Sequence, residues 1–283
     1  MPISTPYQFS FDGQTFGAST AYPILSVDGL ESLPFIRAQD DNRGYADGMF
    51  SGRDFLGGRN VSLIFTTLAS GGNSAQVNYN TIQQALLPQT SGTTPLYFKL
   101  SSAAGEQFVN ARVRALRTSV DPNYTYGYIT SQVDFFCPDP NYYNSNLQTA
   151  NMLISAALGR TYNKTFNYTY GGGSATVTTT IQNIGWATTY PTITINGPIT
   201  NPVIGNSTSG DTLYFTGTYS ALDVLEIDLY NQLITLNGNP ARNLLISGTW
   251  FDAPPGNSNF FFTGTGTLAG TTQATVSWYS AYI

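Results

Sequence analysis

The chain has 283 residues, of which 16 are Asp or Glu, 11 are Lys or Arg, one is Cys and none is His, and its formal net charge is −5. The absence of His excludes Ser-His-Asp and Cys-His catalysis and every His-ligated metal site, and one Cys excludes an intrachain disulfide and cysteine-ligated clusters. An acidic chain with only 10% charged residues also lacks the basic face that nucleic-acid binding needs. The sequence therefore predicts no catalytic residue, metal, cofactor or specific nucleic-acid partner.

The N-terminal sequence MPISTPYQFSFDGQTF has neither a basic segment nor an apolar stretch of the kind that a signal peptide contains. No run of about 18 apolar residues occurs anywhere in the chain, so we predict no membrane insertion. We expect the protein to be made and kept in a cytosol-like compartment.

Apolar and polar residues alternate with a period of two in the first half, and turn residues separate the alternating segments. This pattern predicts strands at residues 61–65, 96–100, 108–116 and 126–136. One helix is predicted at residues 80–87, where Asn80 is a suitable cap and Pro88 ends the helical spacing.

The second half continues as short strands separated by turn residues, a pattern typical of a β-sandwich or barrel. The predicted strands are at residues 193–195, 225–229, 233–236, 244–246, 260–262 and 275–279. Residues 146–158 are compatible with a second helix, because Leu147, Ala150, Ile154 and Leu158 have a helical spacing.

A domain boundary is predicted at the sequence Cys137-Pro138-Asp139-Pro140. Two prolines within four residues end the preceding strand, and charged residues become sparser beyond them. We therefore predict one domain at residues 1–145 and another at residues 146–283.

Carboxylate pairs are candidates for acid–base chemistry because they need no His, and two such pairs lie closest in the sequence. Asp40 and Asp41 are adjacent, and Glu226 and Asp228 lie two residues apart on one predicted strand, so they share a face. Neither pair has the sequence context of a glycosidase or a calcium loop. We interpret both pairs as solvated surface residues.

Residues 40–59, DDNRGYADGMFSGRDFLGGR, form a long glycine-rich segment in which arginines and aspartates are interspersed. Ordering such a loop is costly unless something packs against it. One interpretation is a loop that pairs with a neighbouring subunit, because Arg suits bidentate contacts with carboxylates; the other is a solvated hairpin. The first interpretation makes Arg43, Arg53, Asp54 and Arg59 subunit-interface candidates.

A second hypothesis is a glycan-binding, lectin-like module that contacts a cell envelope. Trp250 precedes a Pro-Pro-Gly turn and is the candidate for stacking on a sugar ring. Aromatic residues at strand positions are more often core residues, so this hypothesis is the alternative.

The order of several short motifs resembles the distal tail proteins of long, non-contractile-tailed bacteriophages. The motifs are GLESLP (29–34), GMFSGR (48–53), GGRNVSL (57–63), CPDP (137–140) with Tyr142-Tyr143, PITNPVI (198–204), LEID (225–228) with the 233–238 hairpin, Trp250 with PGNSN (255–259), and VSWY (276–279). The Arg160-Thr161-Tyr162 run is most similar to versions from phages of actinobacteria.

The resemblance implies a mainly β fold with an N-terminal tail-tube-like barrel or sandwich that contains one helix, followed by a C-terminal galectin-like β-sandwich. It also implies a structural, non-enzymatic role in which six copies form a ring at the distal end of the tail tube. The implied partners are the tail tube protein, the tail-associated hub protein and receptor-binding or side-fibre proteins. The implied location is the tail tip of the virion, after assembly in the host cytoplasm.

Overall fold

The computed structural model describes residues 3, 5–154, 176–265 and 272–283. The chain forms two compact units, one of residues 1–145 together with Ile283 and one of residues 146–282. The fold is mainly β, which confirms the predicted fold class. Among the described helices, none is long and apolar enough to cross a bilayer. The Arg160-Thr161-Tyr162 run lies outside the described residues.

The elements of the N-terminal unit are short strands with two helices among them. In chain order they are β1 (Gln8–Phe11), β2 (Gln14–Gly17), β3 (Ile24–Asp28), β4 (Ile36–Arg37), β5 (Asp41–Asn42), β6 (Met49–Phe50), β7 (Phe55–Leu56), β8 (Arg59–Thr67), α1 (Ala75–Ala85), β9 (Thr94–Lys99), β10 (Gln107–Thr118), α2 (Pro122–Thr125), β11 (Ile129–Cys137) and β12 (Tyr142–Asn144).

Eight of these strands belong to one antiparallel sheet: seven lie in the order β2-β1-β9-β10-β11-β8-β3, and β12 pairs with β10. Strict alternation in β8 places Val61, Leu63 and Phe65 on the buried face, as the period-two pattern requires. The helix α1 contributes Ile82 to the same aromatic-rich core. Burial of this face, which includes fully buried Phe9, is the main source of stability for the unit.

Both helices of this unit differ from the sequence prediction. Helix α1 begins at Ala75 rather than residue 80, because the Ser74 hydroxyl accepts a hydrogen bond from the Val77 N–H. Asn80 therefore lies inside the helix, where its side chain accepts a hydrogen bond from Gln76. The short helix α2, capped by Asp121, occupies residues just before the predicted strand at 126–136.

The C-terminal unit consists of strands and one short 3-10 turn at Arg242–Leu244 in the described residues. The strands are β13 (Gln148–Ile154), β14 (Val177–Asn183), β15 (Thr192–Asn196), β16 (Ile199–Asn206), β17 (Asp211–Phe215), β18 (Thr218–Tyr219), β19 (Val224–Asp228), β20 (Leu233–Leu236), β21 (Asn239–Pro240), β22 (Leu245–Gly248), β23 (Gly256–Thr265), β24 (Thr272–Trp278) and β25 (Ala281–Tyr282).

Two sheets pack face to face in this unit and enclose one hydrophobic core. One sheet has the order β13-β24-β15-β19-β20-β21, and the other has the order β14-β23-β16-β17-β22. Ile193 and Val276 from the first sheet meet Ile204, Phe260 and Phe262 from the second. The unit is therefore a β-sandwich.

The possible helix at residues 146–158 is wrong over the described part of that range. Residues 148–154 form β13, which pairs along its whole length with β24. Met152 and Ile154 are buried while Asn151 and Leu153 are exposed, which is the period of a strand. Residues 155–158 lie outside the described residues.

Candidate assembly surface

The glycine-rich segment folds as a long two-stranded arm, defined here as residues 35–56. At its base β4 pairs with β7, with Ile36 opposite Leu56. Nearer the tip β5 pairs with β6, with Asp41 opposite Phe50. The Arg43 N–H donates to the Gly48 carbonyl at 3.4 Å and closes the tip. The arm is therefore a defined hairpin.

Nearly every residue of the arm is exposed, including large apolar side chains. Phe35 is 72% exposed, Phe50 is 59% exposed and Tyr45 is fully exposed at the tip. None of the arm residues belongs to the described core of the N-terminal unit. An exposed apolar surface of this kind is typical of a protein–protein contact.

The arm arginines lie over the aromatic rings of the arm itself. The Cζ atom of Arg43 is 5.1 Å from the centre of the Phe50 ring, and that of Arg53 is 5.2 Å from the Phe55 ring. Arg37, which the sequence analysis did not select, lies over the other side of the hairpin at 5.8 Å from Phe55. Stacking fixes the guanidinium planes but leaves their N–H groups available to a partner.

Two of the four arm carboxylates accept backbone hydrogen bonds within the arm. Asp40 accepts a hydrogen bond from the Gly52 N–H at 2.9 Å, and Asp41 accepts one from the Asn42 N–H at 2.8 Å. Within the described residues, the candidates Arg43, Arg53 and Asp54 form no ion pair. The structure thus brings these three candidates onto one exposed arm.

Arg59, the fourth interface candidate, lies in a different environment. It is 1% exposed, at the start of β8 beyond the base of the arm. Its guanidinium donates to the Gly29, Leu30 and Ser32 carbonyls, and its Nε donates to the Pro140 carbonyl. These four carbonyls hold the buried side chain within its own chain, and among the described residues its Nη2 atom has no hydrogen-bond partner. The subunit contacts of Arg59, Arg43, Arg53 and Asp54 stay predictions.

The segment that follows β11 is also tightly bonded. Asp139 accepts hydrogen bonds from the Asn141 N–H at 3.0 Å and from the Tyr143 hydroxyl at 2.6 Å. Burial raises the pKa of Asp139, and burial also raises the pKa of the neighbouring Cys137 to about 12. Burial lowers the pKa of Arg59 as well. Each shift follows from the cost of a charge in a dry environment.

We expect Asp139→Asn to make the free energy of unfolding less dependent on pH. A carboxyl whose pKa is higher in the folded state binds more protons when folded, so its contribution to stability falls as pH rises from about 4 through the folded pKa. The amide can keep both contacts, since its oxygen can accept from Asn141 and its NH₂ can donate to Tyr143. We expect the variant to gain stability over wild type as pH rises, measured by urea unfolding between pH 4 and 8.

Asp54→Asn is the matched control, because it removes one carboxylate from the exposed arm. If the Asp139→Asn and wild-type curves stay parallel across this pH range, the buried carboxyl does not have the raised pKa.

The two carboxylate pairs form no catalytic arrangement. Asp228 accepts hydrogen bonds from the Tyr230 and Asn231 N–H groups and so stabilises the turn after β19, while Glu226 is exposed. Asp40 and Asp41 bond to backbone within the arm, as described above. The described residues contain no group of three or more Cys, Asp or Glu that could hold a metal ion.

Trp250, the glycan-stacking candidate, is partly buried against the core of the C-terminal sandwich. The Cζ atom of Arg242 lies 4.9 Å from the centre of its ring. The guanidinium occupies ring surface on which a sugar would stack. The glycan-binding alternative stays a prediction and gains no support from this geometry.

The described part of the chain thus consists of two β-rich units, and the N-terminal unit carries the exposed arm. Residues 184–282 match the family described as "Siphovirus-type tail component, C-terminal domain". A comparison with curated proteins finds no significant match.

Solved structures share the fold of the whole chain. The Dit protein of phage SPP1, described as a hub of the adsorption apparatus of phages that infect Gram-positive bacteria, superposes with a TM-score of 0.66 at 16% identity, over 99% of this chain and all of that one. A chain of the phage P2 baseplate in its activated conformation with Ca gives a TM-score of 0.51 at 11% identity, over 94% of this chain and all of that one. The corresponding baseplate structure with Sr gives 0.50 at 11% identity, over 93% and 98%.

The family match and the shared fold confirm the resemblance to distal tail proteins. Residues 184–282 are thus similar to a siphovirus-type tail component, and the chain has the fold of the SPP1 Dit protein.

Proposed function

We propose that this protein forms a hexameric ring at the distal end of the phage tail tube, through contacts that the arm makes with the neighbouring subunit. The observation that carries the proposal is the arm itself, which exposes Phe35, Tyr45 and Phe50. It also carries Arg43 and Arg53, which form no ion pair within the part of the chain that the structure describes. A two-stranded ribbon is only marginally stable alone in water. Packing against a second copy would supply the missing buried surface.

A ring requires a heterologous contact, in which one surface of a subunit meets a different surface of the next. The arm suits such a contact because it projects one surface that its own unit does not cover. Aromatic residues and Arg are also the residue types that contribute most binding energy at protein interfaces.

The ring would link the tail tube protein to the tail-associated hub protein and to receptor-binding or side-fibre proteins. The N-terminal unit, residues 1–145, would form the ring against the tube, and the C-terminal unit, a galectin-like sandwich, would face outward. The protein would act without catalysis, at the virion tail tip, after assembly in the host cytoplasm. The match of residues 184–282 to a tail-component domain supports this placement.

The experiment that tests the ring is molar mass by light scattering with negative-stain images of the same species. Six chains of 30.6 kDa give 183.6 kDa, and the images should show six-fold rings. We expect the double variant Arg43→Ala, Arg53→Ala to raise the concentration for half-assembly by on the order of tenfold or more, because Arg anchors at interfaces are worth about 2 kcal/mol each.

The matched control is Arg114→Ala, Arg242→Ala. These two arginines also lie over aromatic rings, at 4.8 Å from Phe136 and 4.9 Å from Trp250, but outside the arm. The control changes the net charge equally and should assemble like wild type. Equal weakening by both double variants would show that net charge, and not the arm, governs assembly.

A further inference from the structure

Arg59 connects two parts of the N-terminal unit that are distant in sequence. It comes shortly after the arm in the chain. Its Nη1 donates to the carbonyls of Gly29 at 3.0 Å, Leu30, and Ser32 at 2.7 Å, all of which precede the arm. One side chain therefore holds the chain entering the arm to the chain leaving it.

The same guanidinium also holds the segment that leads toward the C-terminal unit, residues 138–143. Its Nε donates to the Pro140 carbonyl at 3.0 Å, and its Cζ lies 5.6 Å from the centre of the Tyr142 ring. In the described residues no carboxylate pairs with Arg59. Its hydrogen bonds therefore hold backbone segments in place and do not neutralise a carboxylate.

Two glycines show how closely these segments pack. A Cβ atom on Gly29 would lie 1.9 Å from the Asn60 carbonyl oxygen, and one on Gly58 would lie 2.7 Å from the Phe136 ring and 2.9 Å from the Cys137 carbonyl oxygen. Main chain therefore abuts neighbouring chain on both sides of Arg59, with no room for a side chain. A displacement of the arm base in this packing must move its neighbours.

We infer that Arg59 is a positioning residue that locks the base of the arm and the 138–143 segment into one arrangement, so that movement of the arm is transmitted to the chain entering the C-terminal unit. The planar guanidinium with its fixed fork of donors can reach four carbonyls at once, which a Lys ammonium on a flexible stem cannot do. The lock exists in the single chain; its use during assembly rests on the proposed function.

Hydrogen exchange with mass spectrometry on the full chain tests the lock. In Arg59→Lys we expect amide exchange to accelerate by about tenfold or more in both residues 29–35 and residues 138–143, since charge-assisted hydrogen bonds to both segments are lost. The matched control is Arg112→Lys, which removes a guanidinium bonded to the Gln89 and Thr90 carbonyls. The control should leave both segments unchanged.

Tyr142→Leu tests transmission while Arg59 is kept. Tyr142 lies in the 138–143 segment, where its ring contacts Arg59 and Phe98, yet we expect exchange to accelerate in residues 29–35 as well. The inference would be overturned if, in either variant, exchange accelerated in only one of the two segments or in neither segment. Exchange in the central strands β8 and β11 reports whether the unit remains folded. Hydrogen exchange is measured at a single oligomeric state and reports only on the contacts of Arg59. Ring formation is measured separately by light scattering, so the failure of one proposal is distinguishable from the failure of the other.

Discussion

Excision of the arm is expected to give a folded protein that stays monomeric. Replacing residues 36–56 by Asn-Gly shortens the hairpin to a two-residue turn, which the structure permits because the Gly57 N–H donates to the Phe35 carbonyl at 2.6 Å and the two strands are already in register. Light scattering should then give the mass of one chain under conditions where wild type forms rings.

The excised residues contribute nothing to the described core of the N-terminal unit. The bonds of Arg59 to Gly29, Leu30, Ser32 and Pro140 are also outside the excised range. The variant should therefore retain wild-type circular dichroism and unfold cooperatively. Rings that form normally without the arm would disprove its role in the subunit contact, whereas loss of cooperative unfolding would show that the arm is part of the fold.

Much of the β architecture follows from local sequence pattern, because alternation along one strand records which face is buried. In β8 and β19 the buried residues Leu63 and Ile227 occupy the phase that the pattern predicts. Residues 148–154 show the limit. Their apolar spacing suits a helix or a strand. Pairing with the distant strand β24 determines that they form a strand, and no local sequence window contains that partner.

The candidate site was only partly predictable for a similar reason. Arg43 and Arg59 look equivalent in a segment of mixed charge, but the structure exposes the first and buries the second. The difference arises because carbonyls at residues 29–32 and 140 converge on Arg59, and backbone carbonyls carry no sequence signal. The exposed aromatic residues of the arm, such as Phe35, were missed because an aromatic side chain is usually a core residue.

The largest effect on stability is expected from Phe65→Ala, in contrast to Phe35→Ala. Phe65 is 0% exposed on β8, and its ring contacts those of Phe16 at 5.0 Å and Tyr22 at 6.2 Å between centres. Truncation removes apolar burial and leaves a cavity among aromatic neighbours, at a cost of about 3–5 kcal/mol. That is a large share of the total stability of about 5–15 kcal/mol that a domain has. Urea unfolding measures the loss.

Phe35→Ala is the same chemical change on the arm, where the ring is 72% exposed. The free energy of unfolding should change by less than about 0.5 kcal/mol, as is usual for surface positions, while the concentration for half-assembly should rise because the ring is lost from the subunit contact. The same Phe→Ala change is therefore expected to lower folding stability at one position and to weaken assembly at the other. If Phe35→Ala lowered unfolding stability as much as Phe65→Ala, the arm would be packed against its own chain in solution, and it could not be the surface that joins one copy to the next.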